Sequence, residues 1–141
     1  MPNHCKNEVY ISFKDREATD EFLKFVSGED EFGDEVPFTF NAINPLPNGK
    51  WDREWCIANW GTKWDAYNRG HGDGDSRVLI EDEGDEFLRI NFLTAWGPPT
   101  PILNKIGFKF GDKIDYCRWF YRDEADMFCG YLDVDVGINN E

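Results

Sequence analysis

Apolar and polar residues alternate near the start of the chain and then change to a helical spacing. Val9, Ile11 and Phe13 alternate with polar neighbours, which predicts a half-buried strand over about residues 6–13. Asp15 can cap the helix that follows, and Gly28 marks its end. The apolar positions of this predicted helix lie three and four residues apart: Ala18, Phe22, Phe25 and Val26.

The middle of the chain is less regular. Residues 29–35 are acidic and contain glycine, which predicts an exposed loop, and residues 36–40 predict a short edge strand because Pro37 cannot donate to a central ladder. Residues 51–59 predict a short helix. Over residues 60–67, Trp60, Thr62, Trp64 and Ala66 alternate with the other residues, which predicts a second main strand.

The last part of the chain predicts four strands and a helix. Residues 77–81 and 86–94 have strand character on either side of a turn at residues 82–85, the pattern of a hairpin. The prolines at residues 98–101 open a helix, which prolines tolerate in its first turn. Its apolar face is formed by Ile102, Leu103, Ile106 and Phe110. Strands over about residues 113–122 and 127–137 follow.

This order of elements predicts an α+β fold of the ferredoxin-like, split βαβ type. The sheet would be mixed but mainly antiparallel, with two helices on one face and an extra C-terminal strand. Residues 1–141 would form one domain with an insertion at about residues 29–59. The strand over residues 113–122 is apolar on both sides, so the second sheet face should be covered, either by the excursion over residues 36–59 or by a partner.

The charge balance limits the choice of partners. The chain has 28 Asp and Glu against 15 Lys and Arg, a formal net charge of −13. Direct binding to nucleic acid or to an anionic membrane would meet long-range repulsion, so we expect neither, and a basic partner is electrostatically more natural. An acidic surface that only keeps the protein in solution is the simpler interpretation.

No metal or cofactor site is expected from the residue pattern. Cys5, Cys56, Cys117 and Cys129 lack zinc spacing, and His4 and His71 lie in no ligand pattern, so packing is the expected role of the thiols. Met1 is followed by polar residues and no apolar run approaches a membrane span, which predicts reduced thiols and a cytoplasmic protein. The chain carries no recognised catalytic motif, so we do not expect an enzyme.

Tryptophan is concentrated in two segments, residues 55–66 and 92–99. Core packing is the favoured role, with Trp60, Trp64 and Trp96 mostly buried, and loss of Trp64 would then cost roughly 3–5 kcal/mol. The alternative is an aromatic binding site, whose residues would be Asn59, Trp60, Lys63, Trp64 and Trp96. In a strand, Lys63 would point away from both flanking rings, so a stacked cation–π arrangement is not expected.

Four segments carry a family resemblance. Residues 1–7 (MPNHCKN), 40–47 (FNAINPLP), 60–66 (WGTKWDA) and 94–99 (TAWGPP) occur in collinear order. In these segments the chain resembles the YubB-type, ferredoxin-like family of proteins carried by phages and conjugative plasmids. The resemblance implies the fold derived above and a mobile-element origin, and it implies no particular activity.

The sequence therefore leaves two alternative functions. The first is a non-enzymatic interaction protein in the host cytoplasm, which would bind and inhibit a host defence or nucleic-acid-processing protein through its acidic surface. The second is a small-ligand-binding protein or enzyme that uses the aromatic site. The acidic residues expected to bind a basic partner are Glu81, Asp82, Glu83, Asp85, Glu86, Asp123, Glu124, Asp133 and Asp135.

Overall fold

The structure, a computed structural model, describes residues 4–30, 32–68, 78, 80–82, 87–123 and 129–133, with the backbone alone for 129 and 131–133. The strands are β1 His4–Phe13, β2 Gly28–Glu29, β3 Glu35–Val36, β4 Ile80–Asp82, β5 Leu88–Ala95, β6 Ile114–Asp123 and β7 Cys129–Asp133. The helices are α1 Arg16–Val26, α2 Phe40–Ile43, α3 Arg53–Trp60 and α4 Thr100–Phe110, with a 3-10 turn at Pro47–Gly49.

The main sheet has five strands in the order β4-β5-β1-β6-β7. β1 lies at its centre and pairs antiparallel with β5 and with β6, while β4 and β7 form the edges through antiparallel pairs. α1 lies in the chain between β1 and β4, and α4 between β5 and β6. This is the ferredoxin-like arrangement with one additional edge strand, so the predicted fold class is confirmed.

The two long helices begin and end where the sequence predicts. The Asp15 carboxylate accepts a hydrogen bond of 2.8 Å from the Ala18 amide, which satisfies one of the free amides of the first turn of α1. α1 ends at Val26, two residues before Gly28. α4 carries Pro101 in its first turn and packs its apolar face inward.

One hydrophobic core lies between the sheet and the elements that cover its inner face. The strands supply every second residue, and aromatic rings fill much of the volume. Its largest fully buried side chains include Trp60, Trp119, Phe22, Phe40, Ile11, Ile43, Leu88, Ile90, Ile102 and Ile114.

The predicted second main strand over residues 60–67 is wrong. Trp60 is the last residue of α3, and Gly61 adopts the left-handed conformation (φ 82°) that ends the helix. Residues 61–64 are bends, and within the segment Tyr67 forms an isolated bridge to Leu93 of β5. Aromatic and polar residues alternate in the sequence of this segment, but no strand of that length forms because Gly61, which caps α3, turns the chain.

The predicted edge strand over residues 36–40 is also largely replaced. Only Glu35–Val36 pairs, with Gly28–Glu29, in a separate two-stranded sheet. Phe40 begins α2, because the Thr39 hydroxyl accepts from the Asn41 amide at 3.1 Å and caps the helix.

The insertion packs on the helix side of the sheet, so the expectation that it covers the second face is wrong. Phe38, Phe40 and Ile43 join the core beside α1 and α4. On the opposite face, which we call the outer sheet face, Tyr116 is 48% exposed and Phe120 is 39% exposed.

Among the described helices, none has the length and apolar character to cross a bilayer.

Candidate functional site

The two tryptophan-rich segments meet in space at the end of α3. The Thr62 hydroxyl donates to the Ala95 carbonyl at 2.9 Å and accepts from the Ala95 amide at 3.1 Å, so it pairs with both backbone groups of one residue. At Gly61, an added Cβ would lie 2.7 Å from Cδ of Pro101. The turn after α3 and the start of α4 therefore lie in backbone contact, and only glycine fits between them.

This contact builds a stack of cations and rings. The Lys63 ammonium lies 4.5 Å from the centre of the Trp64 ring and 4.7 Å from that of Trp96. The Arg53 guanidinium lies 5.6 Å from the Trp96 ring. The expectation that Lys63 points away from its neighbours is wrong, because alternation holds for strands and this segment is a series of bends.

The stack continues to the first strand. Trp64 contacts Tyr67 edge to face at a centroid distance of 6.1 Å, and Tyr67 contacts His4 at 5.5 Å. The Tyr67 hydroxyl and Nδ1 of His4 are also hydrogen bonded. We call the series Arg53, Trp96, Lys63, Trp64, Tyr67 and His4 the cation–aromatic ladder.

Trp96 sits in the ladder with a strained backbone. Its φ is 77°, a conformation that bulky residues rarely adopt, and its side chain is 40% exposed. A buried chain of hydrogen bonds holds the turn. The Trp119 indole donates to the Asn7 amide oxygen (3.0 Å), the Asn7 amide nitrogen donates to the Thr94 hydroxyl (3.0 Å), and Thr94 donates to the Gly97 carbonyl (2.6 Å).

The predicted burial of the three tryptophans has three different outcomes. Trp60 is completely buried and its indole donates to the Asn44 carbonyl at 2.9 Å, so its core role is confirmed. Trp64 is half-buried, and the expectation for Trp96 is wrong. Asn59 donates to the Trp55 carbonyl within α3. Of the five residues of the predicted aromatic site, Lys63, Trp64 and Trp96 come together in the ladder.

Asp65, directly after the ladder, joins this segment to the insertion. Its buried carboxylate accepts from the Phe40 and Ala66 amides, both at 2.7 Å, and from the Thr39 hydroxyl. Burial raises the pKa of Asp65 to about 6, although the hydrogen bonds to the carboxylate oppose that rise. These hydrogen bonds tie the segment that carries Lys63 and Trp64 to the start of α2.

The structure describes only some of the acidic residues predicted to bind a partner, and those whose side chains it describes are either ion-paired or buried. Glu81 lies 3.7 Å from the Arg89 guanidinium, and Asp82 lies 2.8 Å from that of Arg16. Asp123 is the last residue of β6 and is 1% exposed, so its placement on an exposed acidic turn is wrong. The backbone of Asp133 lies in β7. The remaining members, Glu83, Asp85, Glu86, Glu124 and Asp135, lie outside the described residues, as does His71.

Sequence reasoning missed the outer sheet face. Tyr10, at the centre of β1, contacts Phe87 at 5.9 Å and Phe120 at 6.2 Å between ring centres, and the Arg89 guanidinium lies 5.7 Å from its ring. Register places Tyr10 between Arg89 on β5 and Arg118 on β6. The signal in the sequence was the alternation of aromatic and basic residues along β6. These residues form one surface with Tyr10 only because β6 pairs with β1.

A second cleft lies on the helix side, between α1 and α4. It is lined by three lysines, a glutamate and two phenylalanines: Lys24, Lys109, Lys113, Glu21, Phe25 and Phe110. The Lys113 ammonium is paired with Glu21 at 2.6 Å, and the Lys109 ammonium lies 5.2 Å from the Phe25 ring. This cleft is a weaker candidate for an anion site, because neighbouring groups already engage two of its cations.

The described thiols are packing residues. Cys5, Cys56 and Cys117 are buried in three different elements, and burial raises the pKa of the Cys5 thiol to about 11. Within the described part of the chain, three or more His, Cys, Asp or Glu side chains nowhere gather in a way that could hold a metal ion.

Comparison with known protein families gives a match over more than half of the chain. The sequence model of the family described as the ferredoxin-like domain in Api92-like protein matches residues 59–139, which include all of the ladder except His4 and Arg53. Searches of curated proteins and of solved structures found no match.

Proposed function

The chain belongs to the family of the ferredoxin-like domain in Api92-like proteins, and from that premise we propose that it acts by binding an anionic, partly planar ligand at the cation–aromatic ladder. The family's fold hosts many unrelated functions, so the site must carry the argument. The observation that carries the proposal is the position of the Lys63 ammonium, 4.5 Å from the Trp64 ring and 4.7 Å from the Trp96 ring. Trp96 has a strained backbone and is 40% exposed.

The chemistry of the ladder fits such a ligand. An exposed indole ring offers a flat apolar surface on which a planar group can stack. The cations of Lys63 and Arg53 both lie against the Trp96 ring and supply positive charge beside the stacking surface. Strained residues cluster at binding sites, and the strain at Trp96 is consistent with a ring that is placed for contact.

The wider setting belongs to the same proposal. The four segments that resemble the YubB-type family support a protein carried by a phage or a conjugative plasmid and acting in the host cytoplasm. We propose binding without catalysis because the ladder combines stacking surfaces and fixed cations. These groups recognise a ligand but do not by themselves provide a catalytic nucleophile activated by a general base.

Tryptophan fluorescence tests the proposal. The probes are AMP (planar and anionic), adenosine (planar and neutral) and ribose 5-phosphate (anionic but not planar), each titrated into the wild-type protein. We expect AMP to bind more tightly than either part alone and its signal to be lost in Trp96→Ala and Lys63→Gln. Phe108→Ala, which removes a ring that is 76% exposed on α4, is the matched control and should bind as the wild type does.

Two results would contradict this function. One is that AMP fails to bind at millimolar concentration, and the other is equal loss of binding in Phe108→Ala and Trp96→Ala. Unfolding curves for each variant show whether a loss of signal reflects loss of the fold.

A second candidate is inhibition of a host protein through the acidic surface, favoured by the net charge of −13. Reversal of Glu81, Asp82 and Glu83 to Lys should slow association with a basic partner, and binding should weaken as salt rises. Arg16 and Arg89 already pair with Asp82 and Glu81, so this candidate needs those ion pairs to open. Partner binding that is indifferent both to salt and to the reversal would exclude it.

A further inference from the structure

We propose that the cation–aromatic ladder is one end of a longer track that binds single-stranded nucleic acid across the outer sheet face. The inference rests on the proposed function and extends it by naming the ligand class. It depends on three observations: the rings on this face, the basic residues between them, and the continuity of the face with the ladder.

The rings are grouped around the central strand. Tyr10 lies within 6.2 Å of Phe120 and 5.9 Å of Phe87, measured between ring centres. Tyr116 lies opposite Ser12 in the register and is 48% exposed. Nucleobases are recognised by stacking on aromatic side chains of an open sheet, and each stacked base contributes on the order of a tenfold gain in affinity.

Basic residues alternate with these rings. At the outward positions of β1, β4, β5 and β6 lie four basic residues and two acidic ones: Lys6, Arg89, Arg118, Arg122, Glu8 and Glu81. A third acidic residue, Asp115, is exposed where the register of β6 shifts, and Glu8 and Glu81 lie 4.0 and 3.7 Å from the Arg89 guanidinium. The balance of charge on this face therefore differs from the −13 of the whole chain. Because screening limits charge interactions to about 8 Å at physiological ionic strength, a bound strand senses mainly the charges of this face.

The face is continuous with the ladder. Alternation along β1 places His4 on the same side of the sheet as Lys6 and Tyr10. The ring of His4 contacts Tyr67, which bridges to Leu93, an outward residue of β5. From His4 to Tyr10 the strand rises about 20 Å, enough to contact several nucleotides.

A single strand fits this surface better than a duplex does. The rings lie on a sheet, where splayed bases can reach them, whereas the bases of a duplex are stacked on one another and present their edges. Phosphates of an extended strand would lie beside Arg118 and Arg122, which occupy the outward positions of β6 on either side of Phe120. Stacking and phosphate neutralisation would thus come from neighbouring residues.

Fluorescence anisotropy with labelled oligonucleotides of about ten nucleotides tests the inference. The arms are oligo(U), oligo(dT) and a duplex of equal length, with polyglutamate as competitor. We expect both single strands to bind better than the duplex, and the two single strands show whether the 2′-hydroxyl contributes. Polyglutamate should compete poorly, because it supplies negative charge without bases.

Variants locate the site. Phe120→Ala should weaken binding about tenfold, and Arg118→Gln should lower the slope of log affinity against log salt by about one phosphate contact. Phe108→Ala and Lys105→Gln are matched controls, since they remove an exposed ring and an exposed cation from α4 on the other side of the sheet. Both controls should bind as the wild type does.

The inference is overturned if the single strands fail to bind at low salt, if polyglutamate competes equally, or if the two control variants weaken binding as much as the sheet variants. AMP titration separates this failure from that of the proposed function. If AMP still reports on Trp96 while oligonucleotides do not bind, the ladder is a small-ligand site and the track is wrong.

Discussion

Trp96 illustrates how one residue is held in a costly conformation. At φ 77° a side chain with a Cβ loses roughly 1–2 kcal/mol relative to right-handed backbone, and glycine avoids most of that cost. The buried hydrogen bonds from Trp119 through Asn7 and Thr94 to Gly97 hold the turn in place. The cost is offset in the fold and is consistent with a binding role for the exposed ring.

Trp96→Gly should therefore separate stability from binding. The variant loses two surface cation–π contacts of about 0.5–1 kcal/mol each, to Lys63 and Arg53, but gains roughly 1–2 kcal/mol from relief of backbone strain, so we expect the free energy of unfolding to change by less than about 1 kcal/mol. Trp60→Ala, from the core, should lose roughly 3–5 kcal/mol. Urea unfolding measures both, and equal losses would show that Trp96 belongs to the core.

Asp65 makes stability depend on pH. The pKa of Asp65 in the fold is raised to about 6 from an ordinary value of 3.8, chiefly by burial. A raised carboxyl pKa means that its contribution to stability is fully present below about pH 4 and is lost as pH rises through about 6. The loss is on the order of 3 kcal/mol.

Asp65→Asn should remove that dependence, because the amide keeps an acceptor for the Phe40 and Ala66 amides and carries no charge at any pH. We expect the variant to gain stability relative to the wild type between pH 4 and pH 7.5. Unfolding in urea across this range is the measurement. Parallel curves for the two proteins would show that Asp65 does not titrate as described.

At the scale of elements, the joint between α3 and α4 positions the ladder. Gly61 ends α3 with φ 82°, and its amide donates to the Cys56 and Ile57 carbonyls. A Cβ at this position would lie 2.7 Å from Pro101 and 3.2 Å from the Thr100 nitrogen. The joint therefore tolerates no side chain.

Gly61→Ala should destabilise the protein by more than about 1 kcal/mol, through both the strained φ and the displacement of α4. Gly97→Ala is the matched control, because an added Cβ there meets nothing within 4 Å. Thermal unfolding compares the two variants. Similar melting temperatures would mean that the joint can open without cost.

Local patterns predicted those elements whose signals are local. α1 follows from the spacing of Phe22 and Val26 and from the Asp15 cap, and β1 follows from strict alternation. The strand prediction for residues 60–67 was wrong because the same alternation occurs here in the turn that follows the end of a helix. Lys63, Trp64 and Trp96 could be named as a candidate site from sequence.

The rest of the site required the tertiary structure. Arg53, His4 and Tyr67 come from α3, β1 and an isolated bridge, and nothing in their local sequence links them. The outer sheet face depends on the register between β1 and β6, including the irregularity at Ser12 and Phe13 that turns Ile114 inward. Pairing between distant strands is not readable from a single sequence.

At the scale of the whole molecule, the charge of the outer sheet face differs from the net charge of the chain. The chain is strongly acidic, yet four basic residues, Lys6, Arg89, Arg118 and Arg122, lie at outward positions of the described sheet. The core and the insertion lie on one side of the sheet, and the rings of Tyr116 and Phe120 remain exposed on the other. The ladder lies where the two tryptophan segments meet at the sheet, and it is at this surface that we propose binding.

The indole N–H resonances of the six tryptophans test this assignment most directly. They are assigned by single Trp→Phe variants and followed by ¹H–¹⁵N NMR as AMP is added. We expect progressive, saturable shifts for Trp96 and Trp64, which flank Lys63, and unchanged positions for the buried Trp60 and Trp119. Saturation with AMP that leaves the Trp96 and Trp64 resonances unmoved would contradict binding at the ladder.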